Sequence, residues 1–354
     1  MLVLTSRCNL HCSYCYHGDL AERQDMSITT LDQVIARVAD GSGRLHIQLT
    51  GGEPTLVPEL IEAAAQRALS LPRPCTIGIQ TNATCLDERV IGLFKRYRLQ
   101  VGVSLDGPPA IQEHLRGRAA ETLRGLQLLE SFGIPFRVTT VVSNHNVGSL
   151  DRLALLLAGF RQALGLGLDL LVVKGKARDV TAPAPAESPA LMSGVESLVK
   201  TLGVVNQCKE IPLQLRELEL VQQLLAEKTT AANRHRSFCY AQQGESLAVH
   251  PDGRLYPCGQ SLADPQFAAG SIGQPNPLPL FPHKTLADLA TDCRSCPLKN
   301  RCPGDCPSRL YYNRAGNPLL ACTLYSTLAK LYLHHQNEHA PGGNHAVSEA
   351  GTHP

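Results

Sequence analysis

The sequence predicts an α/β fold, a partial (β/α)6 barrel followed by a small cysteine-rich domain. Two observations predict this organisation. Short apolar runs alternate with amphipathic helical patterns as far as Val173, and cysteine, proline and glycine dominate the chain beyond Phe238. Strands that alternate with helices build a parallel sheet with right-handed crossovers. Six such units are too few for the conventional eight-unit barrel, so an open, partial barrel is expected.

The elements of the barrel follow in order along the chain. The strand candidates are Leu2–Thr5, Leu45–Leu49, Thr76–Gln80, Val101–Leu105, Phe136–Val142 and Leu168–Val173. The helical patterns between them are Thr30–Ala39, Leu56–Ser70, Asp87–Tyr97, Ala119–Phe132 and Ser149–Gly165. In such sheets the functional groups lie on loops at the carboxyl ends of the strands, so a site is expected there.

Beyond the barrel the pattern changes twice. Thr181–Pro189 is a proline-rich linker, and helical patterns resume over Ser193–Leu202 and Leu213–Thr229. Two short apolar pieces joined by Pro251-Asp252-Gly253 predict a hairpin formed by Ser246–His250 and Arg254–Pro257. A last helix is expected over Thr323–His334, before a polar tail rich in His, Gly and Pro.

These changes divide the chain into four predicted units. They are a barrel over residues 1–180, a helical bridge over 181–237, a cysteine-rich domain over 238–335 and a disordered tail over 336–354.

Composition narrows the class of protein. The chain has 354 residues, 43% of them hydrophobic, which is enough for a full core. A formal charge of +2 argues against broad attraction to nucleic acid or to a membrane surface. We find neither an apolar run long enough to span a bilayer nor an export signal, so a cytoplasmic protein is expected.

Cysteine is unusually abundant and clustered. Of 13 cysteines, three lie near the start and seven lie between Cys239 and Cys322. In a chain without an export signal, clustered cysteines bind metal more often than they form disulfides.

The first group is Cys8-x3-Cys12-x2-Cys15, directly after the first strand. Three thiolates leave one iron of a [4Fe–4S] cluster open, which suits a catalytic cluster that binds a ligand there. The alternative is a structural zinc site, which needs four ligands and would recruit His11, His17 or a distant residue.

Two motifs together resemble the radical SAM superfamily. RCNLHCSYCY is similar to its cysteine motif, with Tyr14 in the aromatic position, and Gly51-Gly52-Glu53-Pro54 is similar to its GGEP motif after the second strand. Paired glycines allow close approach of a ligand and offer N–H groups. Either Glu53 or the neighbouring backbone carbonyls could meet the ammonium group of the ligand.

The resemblance implies a cofactor and a reaction. A [4Fe–4S] cluster on Cys8, Cys12 and Cys15 would bind S-adenosylmethionine and cleave it to a 5′-deoxyadenosyl radical, which takes a hydrogen atom from the substrate. The reaction implies a low-potential electron donor, a flavodoxin or ferredoxin. By position in the fold, Ser104 is a candidate to bind the cofactor, and Asn82 and Arg116 are weaker ones. Asp106 either belongs to this site or begins a turn.

The seven later cysteines resemble the SPASM extension of radical SAM enzymes that modify peptides and proteins. They are Cys239, Cys258, Cys293, Cys296, Cys302, Cys306 and Cys322. The resemblance implies two auxiliary [4Fe–4S] clusters, the first held by Cys239, Cys258 and Cys306. The second would be held by Cys293, Cys296, Cys302 and Cys322. A zinc ribbon on four of these cysteines is the alternative, but it leaves three of them unexplained.

By this assignment the first auxiliary cluster lacks one ligand. Residues 240–257 contain no cysteine, so either Cys208 or another side chain completes the cluster, or one iron stays open to a substrate thiolate. Cys75, Cys85 and Cys208 are otherwise interpreted as structural thiols, and the histidines of the tail as solvated.

The leading functional hypothesis is maturation of a ribosomal peptide or a protein side chain, by crosslinking, thioether formation or oxidation. An anaerobic sulfatase maturase that forms formylglycine is the closest alternative. Those enzymes place an aspartate base after the auxiliary-cluster cysteine, whereas Gly259 and Gln260 follow Cys258 here. A third hypothesis is modification of a small molecule, and a fourth is an electron carrier or zinc-binding module, against which the GGEP motif argues.

Substrate recognition is expected to differ from that of many peptide-modifying relatives. Those carry a leader-binding winged-helix domain before the barrel, whereas this sequence begins at the first strand. A separate leader-peptide-binding protein, or the region Thr181–Arg236, would then recognise the leader.

Overall fold

The computed structural model describes residues 1–18, 23–227, 237–281, 293, 295–302, 304–314 and 319–338. Its main feature is a sheet of nine strands in the order β7-β6-β5-β4-β3-β2-β1-β8-β9. The strands are β1 Leu2–Thr5, β2 Leu45–Gly51, β3 Cys75–Thr81, β4 Gln100–Ser104, β5 Phe136–Val142, β6 Ala163–Leu170, β7 Gln214–Leu215, β8 Ala248–Val249 and β9 Leu255–Tyr256. A separate small ribbon joins β10 Gly270–Ser271 and β11 Gln274–Pro275.

Strands β1 to β7 are parallel and follow one another in sequence across the sheet. Their carboxyl ends therefore lie along one edge, which the predicted α/β fold requires for a shared site. The predicted hairpin is confirmed, because β8 and β9 pair antiparallel. The sequence did not indicate where the hairpin docks: β8 pairs parallel with β1 through Leu2 and Val249.

Eleven helices lie among the described residues. They are α1 Ile28–Ala39, α2 Pro58–Leu69, α3 Glu88–Arg96, α4 Pro109–Leu115, α5 Ala119–Ser131, α6 Leu150–Ala158, α7 Ser188–Cys208, α8 Arg216–Ala226, α9 Tyr240–Gln243, α10 Pro307–Tyr312 and α11 Leu320–Glu338. Local capping defines two of the helix starts. Ser27 accepts a hydrogen bond from the Thr30 amide, and Asp87 accepts one from the Val90 amide.

One predicted boundary is wrong. The helix expected over Ser149–Gly165 ends at Ala158, and the strand expected at Leu168–Val173 begins at Ala163. Leucines continue from α6 into β6, which suggested one long helix. In Ala163–Leu170, however, leucine alternates with glycine and aspartate, and this period of two belongs to a strand.

The two predicted helices after the proline-rich linker are present with shifted bounds. Helix α7 is longer than expected and packs against α6 and α11, and α8 is shorter and packs against α11. Helix α11 continues to Glu338, four residues beyond the predicted end. The remainder of the predicted tail, residues 339–354, lies outside the described residues.

One large apolar core joins the sheet to its helices. It is built from β-branched and leucine side chains of the strands and from the inner faces of α1 to α3, α5 to α8 and α11. A second, smaller cluster lies at the β8–β9 end of the sheet and consists of Val3, Ala248, Tyr256, Leu262, Phe267 and Phe281. Within the described part of the chain, we find no helix that is both long and apolar enough to cross a bilayer.

Candidate active site

The first three cysteines lie together in the loop after β1. The Cys15 amide donates to the Cys12 carbonyl at 3.2 Å, and the Leu10 amide donates to Cys8 Sγ at 3.4 Å. Burial, followed by the nearby charges of Glu53, Cys12 and Cys15, raises the pKa of the Cys8 thiol to about 11. Three thiolates in this partly buried loop would repel one another, so they need a cation such as the iron of a cluster. The donor set therefore fits the cluster that the sequence predicts.

The glycine pair after β2 packs directly against this loop. The Gly52 amide donates to the Thr5 carbonyl at 2.8 Å, and the Glu53 amide donates to the Arg7 carbonyl at 2.9 Å. A Cβ atom on Gly52 would overlap the Arg7 carbonyl oxygen and lie 2.9 Å from Cys8 Cβ. Glycine is required here by the close approach of two backbones, so the GGEP segment fixes the position of the cysteine loop.

The Glu53 carboxylate points into the protein. It accepts hydrogen bonds from the Thr55 amide and hydroxyl, from the Thr81 hydroxyl at 2.6 Å and from the Asn82 amide at 2.7 Å. The residue is 1% exposed, and burial raises the pKa of its carboxyl group. Of the two possibilities that the sequence left open, the geometry favours the backbone around Glu53 as the part that faces a ligand.

A buried ionic network supports the cysteine loop from the other side. Asp106, after β4, accepts from the Tyr14 hydroxyl and forms a bidentate pair with Arg116, whose Nε lies 2.9 Å from Asp106 Oδ2. The Val141 amide also donates to Asp106 at 3.0 Å, and the Arg116 guanidinium lies 5.3 Å from the Tyr14 ring centroid. Asp106 is therefore buried and hydrogen-bonded to residues at or after the ends of β1, β4 and β5, so it does more than begin a turn.

The remaining candidates from the barrel lie at the same edge of the sheet. Ser104 accepts a hydrogen bond from Gln80 Nε2 at 2.9 Å. The Asn82 side chain donates to Asn9 Oδ1 at 3.0 Å, which ties the end of β3 to the cysteine loop. These contacts bring the loops after β1, β2, β3 and β4 together around Cys8, Cys12 and Cys15.

The later cysteines form two groups. Burial raises the pKa of Cys306 to about 11, with added repulsion from Cys258 and Cys239. Burial likewise raises the pKa of Cys302 to about 11, and the thiols of Cys296, Cys322 and Cys293 contribute in the same direction. The thiols that act on Cys306 and on Cys302 belong to the two sets that the sequence resemblance implied, and the assignment of these sets to clusters remains a prediction.

The ligands that the resemblance implies for both sets are cysteine thiols alone, and cysteine thiolates are the usual ligands of [4Fe–4S] clusters. Within the described ranges, no three Cys, His, Asp or Glu side chains converge closely enough to hold one metal ion.

Gly259 and Gln260 follow Cys258, where a carboxylate base was sought, and Gln260 is the first of the two with a polar side chain. Its side-chain oxygen lies 3.6 Å from Cys306 Sγ and accepts from the Ser308 hydroxyl. An amide cannot act as a carboxylate base at neutral pH.

Two residues that lie in the structure between the first cysteine group and the turn after Cys258 were not predicted from the sequence as part of the site. The Tyr16 ring lies near Cys15 and Cys258, and burial raises the pKa of its hydroxyl. Lys174 follows β6, and its ammonium group donates to the Gln260 carbonyl at 2.8 Å. In the sequence, only its position after β6 could have indicated that Lys174 belongs to the site, because the residue that it bonds to, Gln260, lies in a distant part of the chain.

Comparisons with known proteins agree with this geometry. Residues 2–157 match the model of the radical SAM superfamily. An uncharacterized protein of Methanocaldococcus jannaschii is 31% identical over 265 residues, which are 73% of this chain and 83% of that protein. The serine-type anaerobic sulfatase-maturating enzyme of Klebsiella aerogenes is 28% identical over 354 residues, 90% of this chain and 81% of that enzyme. The subtilosin biosynthesis protein AlbA of Bacillus subtilis is 25% identical over 318 residues, 85% of this chain and 64% of that protein.

A solved structure shares the fold over nearly the whole chain. Native anSMEcpe with bound AdoMet superposes with a TM-score of 0.73 at 18% identity and covers 95% of this chain and 98% of its own. The predicted α/β fold with a cysteine-rich carboxyl-terminal region is therefore confirmed. By its motifs, its fold and these relatives, the chain belongs to the radical SAM superfamily.

Proposed function

We propose that this protein modifies a side chain of a ribosomally made peptide or of a protein, using S-adenosylmethionine, one catalytic cluster and two auxiliary clusters. The observation that carries the proposal is that Tyr16 lies near both Cys15 of the first cysteine group and Cys258 of the later cysteines, which are all available as free thiols. The likeness to AlbA and to sulfatase-maturating enzymes supports a peptidic substrate.

The chain's own residues would bind and orient the reactants. Cys8, Cys12 and Cys15 would hold the catalytic cluster, which with S-adenosylmethionine supplies the 5′-deoxyadenosyl radical. The backbone of Gly51 and Gly52 would receive the methionyl group. The Tyr14–Asp106–Arg116 network would hold the cysteine loop rigid, because each of its charges is buried and hydrogen-bonded.

The auxiliary clusters would be held by the two thiol sets. Cys239, Cys258 and Cys306 offer three ligands, and Cys293, Cys296, Cys302 and Cys322 offer four. A low-potential flavodoxin or ferredoxin is the expected electron donor, and a separate leader-binding protein is an expected partner.

Formation of formylglycine is the second candidate, and its support is comparable. It is favoured by the 28% identity to a serine-type sulfatase-maturating enzyme over 90% of this chain. It is disfavoured because Gly259 and Gln260, rather than a carboxylate, follow Cys258, and abstraction of a proton from the substrate needs a base.

One experiment separates these functions. The anaerobically reconstituted protein is given dithionite, S-adenosylmethionine and either peptides encoded beside its gene or a sulfatase peptide with Ser or Cys at the modified position. We expect 5′-deoxyadenosine in every mixture and a modified product with the neighbouring peptides. An aldehyde-reactive hydrazide would label formylglycine and leave a crosslink or thioether unlabelled.

The outcomes are distinct. A full iron load without 5′-deoxyadenosine would contradict every radical function. A hydrazide-reactive sulfatase peptide would establish the second candidate in place of the first. The Cys12→Ala variant is the matched control and should form no 5′-deoxyadenosine with any peptide.

A further inference from the structure

Lys174 joins the barrel to the loop behind Cys258. Its ammonium group donates hydrogen bonds to the carbonyls of Gln260 and Leu262 at 2.8 and 2.5 Å. The residue is 9% exposed, so both bonds are shielded from water. The residue thereby fixes the turn that follows Cys258 against the end of β6.

The charge of Lys174 has no carboxylate partner in contact among the described residues. Asp264, whose charge acts on Lys174, instead accepts from the Tyr312 hydroxyl at 2.7 Å and from the Gln266 amide at 3.0 Å. The Lys174 ammonium lies 5.5 Å from the Tyr312 ring centroid. A buried cation without an ion-pair partner is costly, which suggests that an anion belongs nearby.

The turn that Lys174 holds follows Cys258, so the thiolate ligands of a cluster bound there would be the nearby anions. Burial lowers the pKa of Lys174 to about 8, whereas the charges of Asp264, Cys258 and Cys15 act in the opposite direction. A cluster with thiolate ligands carries negative charge, and nearby charge and hydrogen bonding set its reduction potential. A fixed ammonium group beside such a cluster stabilises the reduced form, which is the more negative one.

The same segment of chain is anchored to the first cysteine loop. The Lys176 amide donates to the Cys15 carbonyl at 3.0 Å. Gly175 has a φ of +60°, and a Cβ atom there would overlap the Cys15 carbonyl oxygen. Three consecutive residues thus contact the Cys15 loop and the Cys258 turn, so they set the separation between the two cysteine groups.

We propose that Lys174 is a positioning residue that holds the Cys258 turn and raises the reduction potential of the cluster bound by Cys239, Cys258 and Cys306. The inference rests on the proposed function, specifically on the first auxiliary cluster. The effect is expected at this cluster, because the Lys174 ammonium group contacts the turn that follows Cys258.

The test measures the potentials directly. The full-length chain with Cys8, Cys12 and Cys15 changed to Ala retains only the auxiliary clusters, which are titrated anaerobically and followed by electron paramagnetic resonance. Lys174→Gln removes the charge but can still donate a hydrogen bond. We expect it to shift the reduction equilibrium of one cluster about tenfold toward the oxidised form, equivalent to about 59 mV for one electron. The second auxiliary cluster serves as an internal control and should not shift.

Two further variants separate charge from structure. Lys174→Arg keeps the positive charge and should preserve the potential. Lys95→Gln makes the same change at an exposed lysine of α3 and should leave both potentials unchanged, because solvent screens its charge. If Lys174→Gln loses iron while Lys174→Arg retains it, the requirement for a cation is supported.

Two results would overturn the inference. One is a fully iron-loaded Lys174→Gln variant whose potentials equal those of the parent. The other is loss of iron from Lys174→Arg as well as from Lys174→Gln, which would show that side-chain shape rather than charge matters. Failure of the proposed function is recognised separately, because the parent chain itself would then contain no auxiliary-cluster iron.

Discussion

At the scale of single residues, Gly52 connects the cofactor motif to the cysteine motif. Its amide donates to the Thr5 carbonyl, and its α-carbon faces the Arg7 carbonyl oxygen with no room for a side chain. Any side chain there must displace backbone rather than a flexible neighbour. The position of Cys8, in the loop after β1, therefore depends on the lack of a side chain at Gly52, which follows β2.

Substitution of Gly52 by alanine tests this dependence. We expect a loss of about 1–3 kcal/mol in the free energy of unfolding, because the added methyl group overpacks a backbone contact. We also expect weaker binding of S-adenosylmethionine and less iron on the first cysteine group. Urea unfolding of the iron-free protein and iron analysis of the reconstituted protein measure the two effects.

Gly203→Ala is the control for this substitution. Gly203 lies in α7 with no atom within 4 Å of the position of an added Cβ. Alanine is favoured over glycine inside a helix, so this variant should be unchanged or more stable by up to about 1 kcal/mol. Equal stability of the Gly52→Ala variant and the parent would contradict the close-contact explanation.

A site residue could be predicted from the sequence when its role depends on its neighbours along the chain. It could not be predicted when its role depends on contacts with distant residues. Cys8, Cys12 and Cys15 could be proposed as ligands from their spacing together with the GGEP motif, because both are local patterns in the sequence. The role of Glu53 was not, since its carboxylate bonds to Thr81 and Asn82, on a later strand. Lys174 escaped notice for the same reason.

At the scale of elements, the end of β6 is held by α10. Asn313, at the carboxyl end of α10, accepts from the Val173 amide and donates to the Leu171 carbonyl, both at 2.8 Å. Helix α10 begins directly after Cys306. The same strand end therefore contacts the segment of Cys306 through Asn313 and the turn of Cys258 through Lys174.

Removal of this connection by Asn313→Ala should affect stability and cluster retention together. The variant leaves a buried amide and a buried carbonyl without partners, which costs about 1–3 kcal/mol. We expect urea unfolding of the iron-free protein at lower concentration and a lower auxiliary iron content. The control is Gln222→Ala, which removes an exposed amide from α8 and should change neither quantity. Loss of stability with full iron retention would show that α10 does not position Cys306.

Element boundaries were predictable where the apolar period was unambiguous. Strands β1 and β5 have the predicted bounds, whereas β6 begins five residues before its prediction. Leucine is common to α6 and β6, and the break between them depends on Gly159 and on pairing with β5. Docking of β8 on β1 depends on contacts between distant segments, so no local pattern could reveal it.

At the scale of the whole molecule, apolar burial is unevenly distributed. The sheet and its helices share one large core, whereas the turn after Cys258 packs on the small cluster of Val3, Ala248, Tyr256, Leu262, Phe267 and Phe281. A region with so few buried side chains gains much of its stability from other constraints. Two sets of thiols, each drawn from separate segments, supply such constraints once iron binds.

Removal of iron should therefore loosen one part of the molecule selectively. In hydrogen–deuterium exchange read by mass spectrometry, we expect faster amide exchange over residues 238–281 in the iron-free protein, with α2 and α3 unchanged. The matched control is the chain with Cys8, Cys12 and Cys15 changed to Ala, which loses only the first cluster and should keep residues 238–281 protected. Equal protection of that region with and without iron would contradict a metal-dependent fold, because the apolar contacts alone would then suffice. Faster exchange across α2 and α3 as well would instead indicate that the whole chain unfolds as one unit when iron is removed.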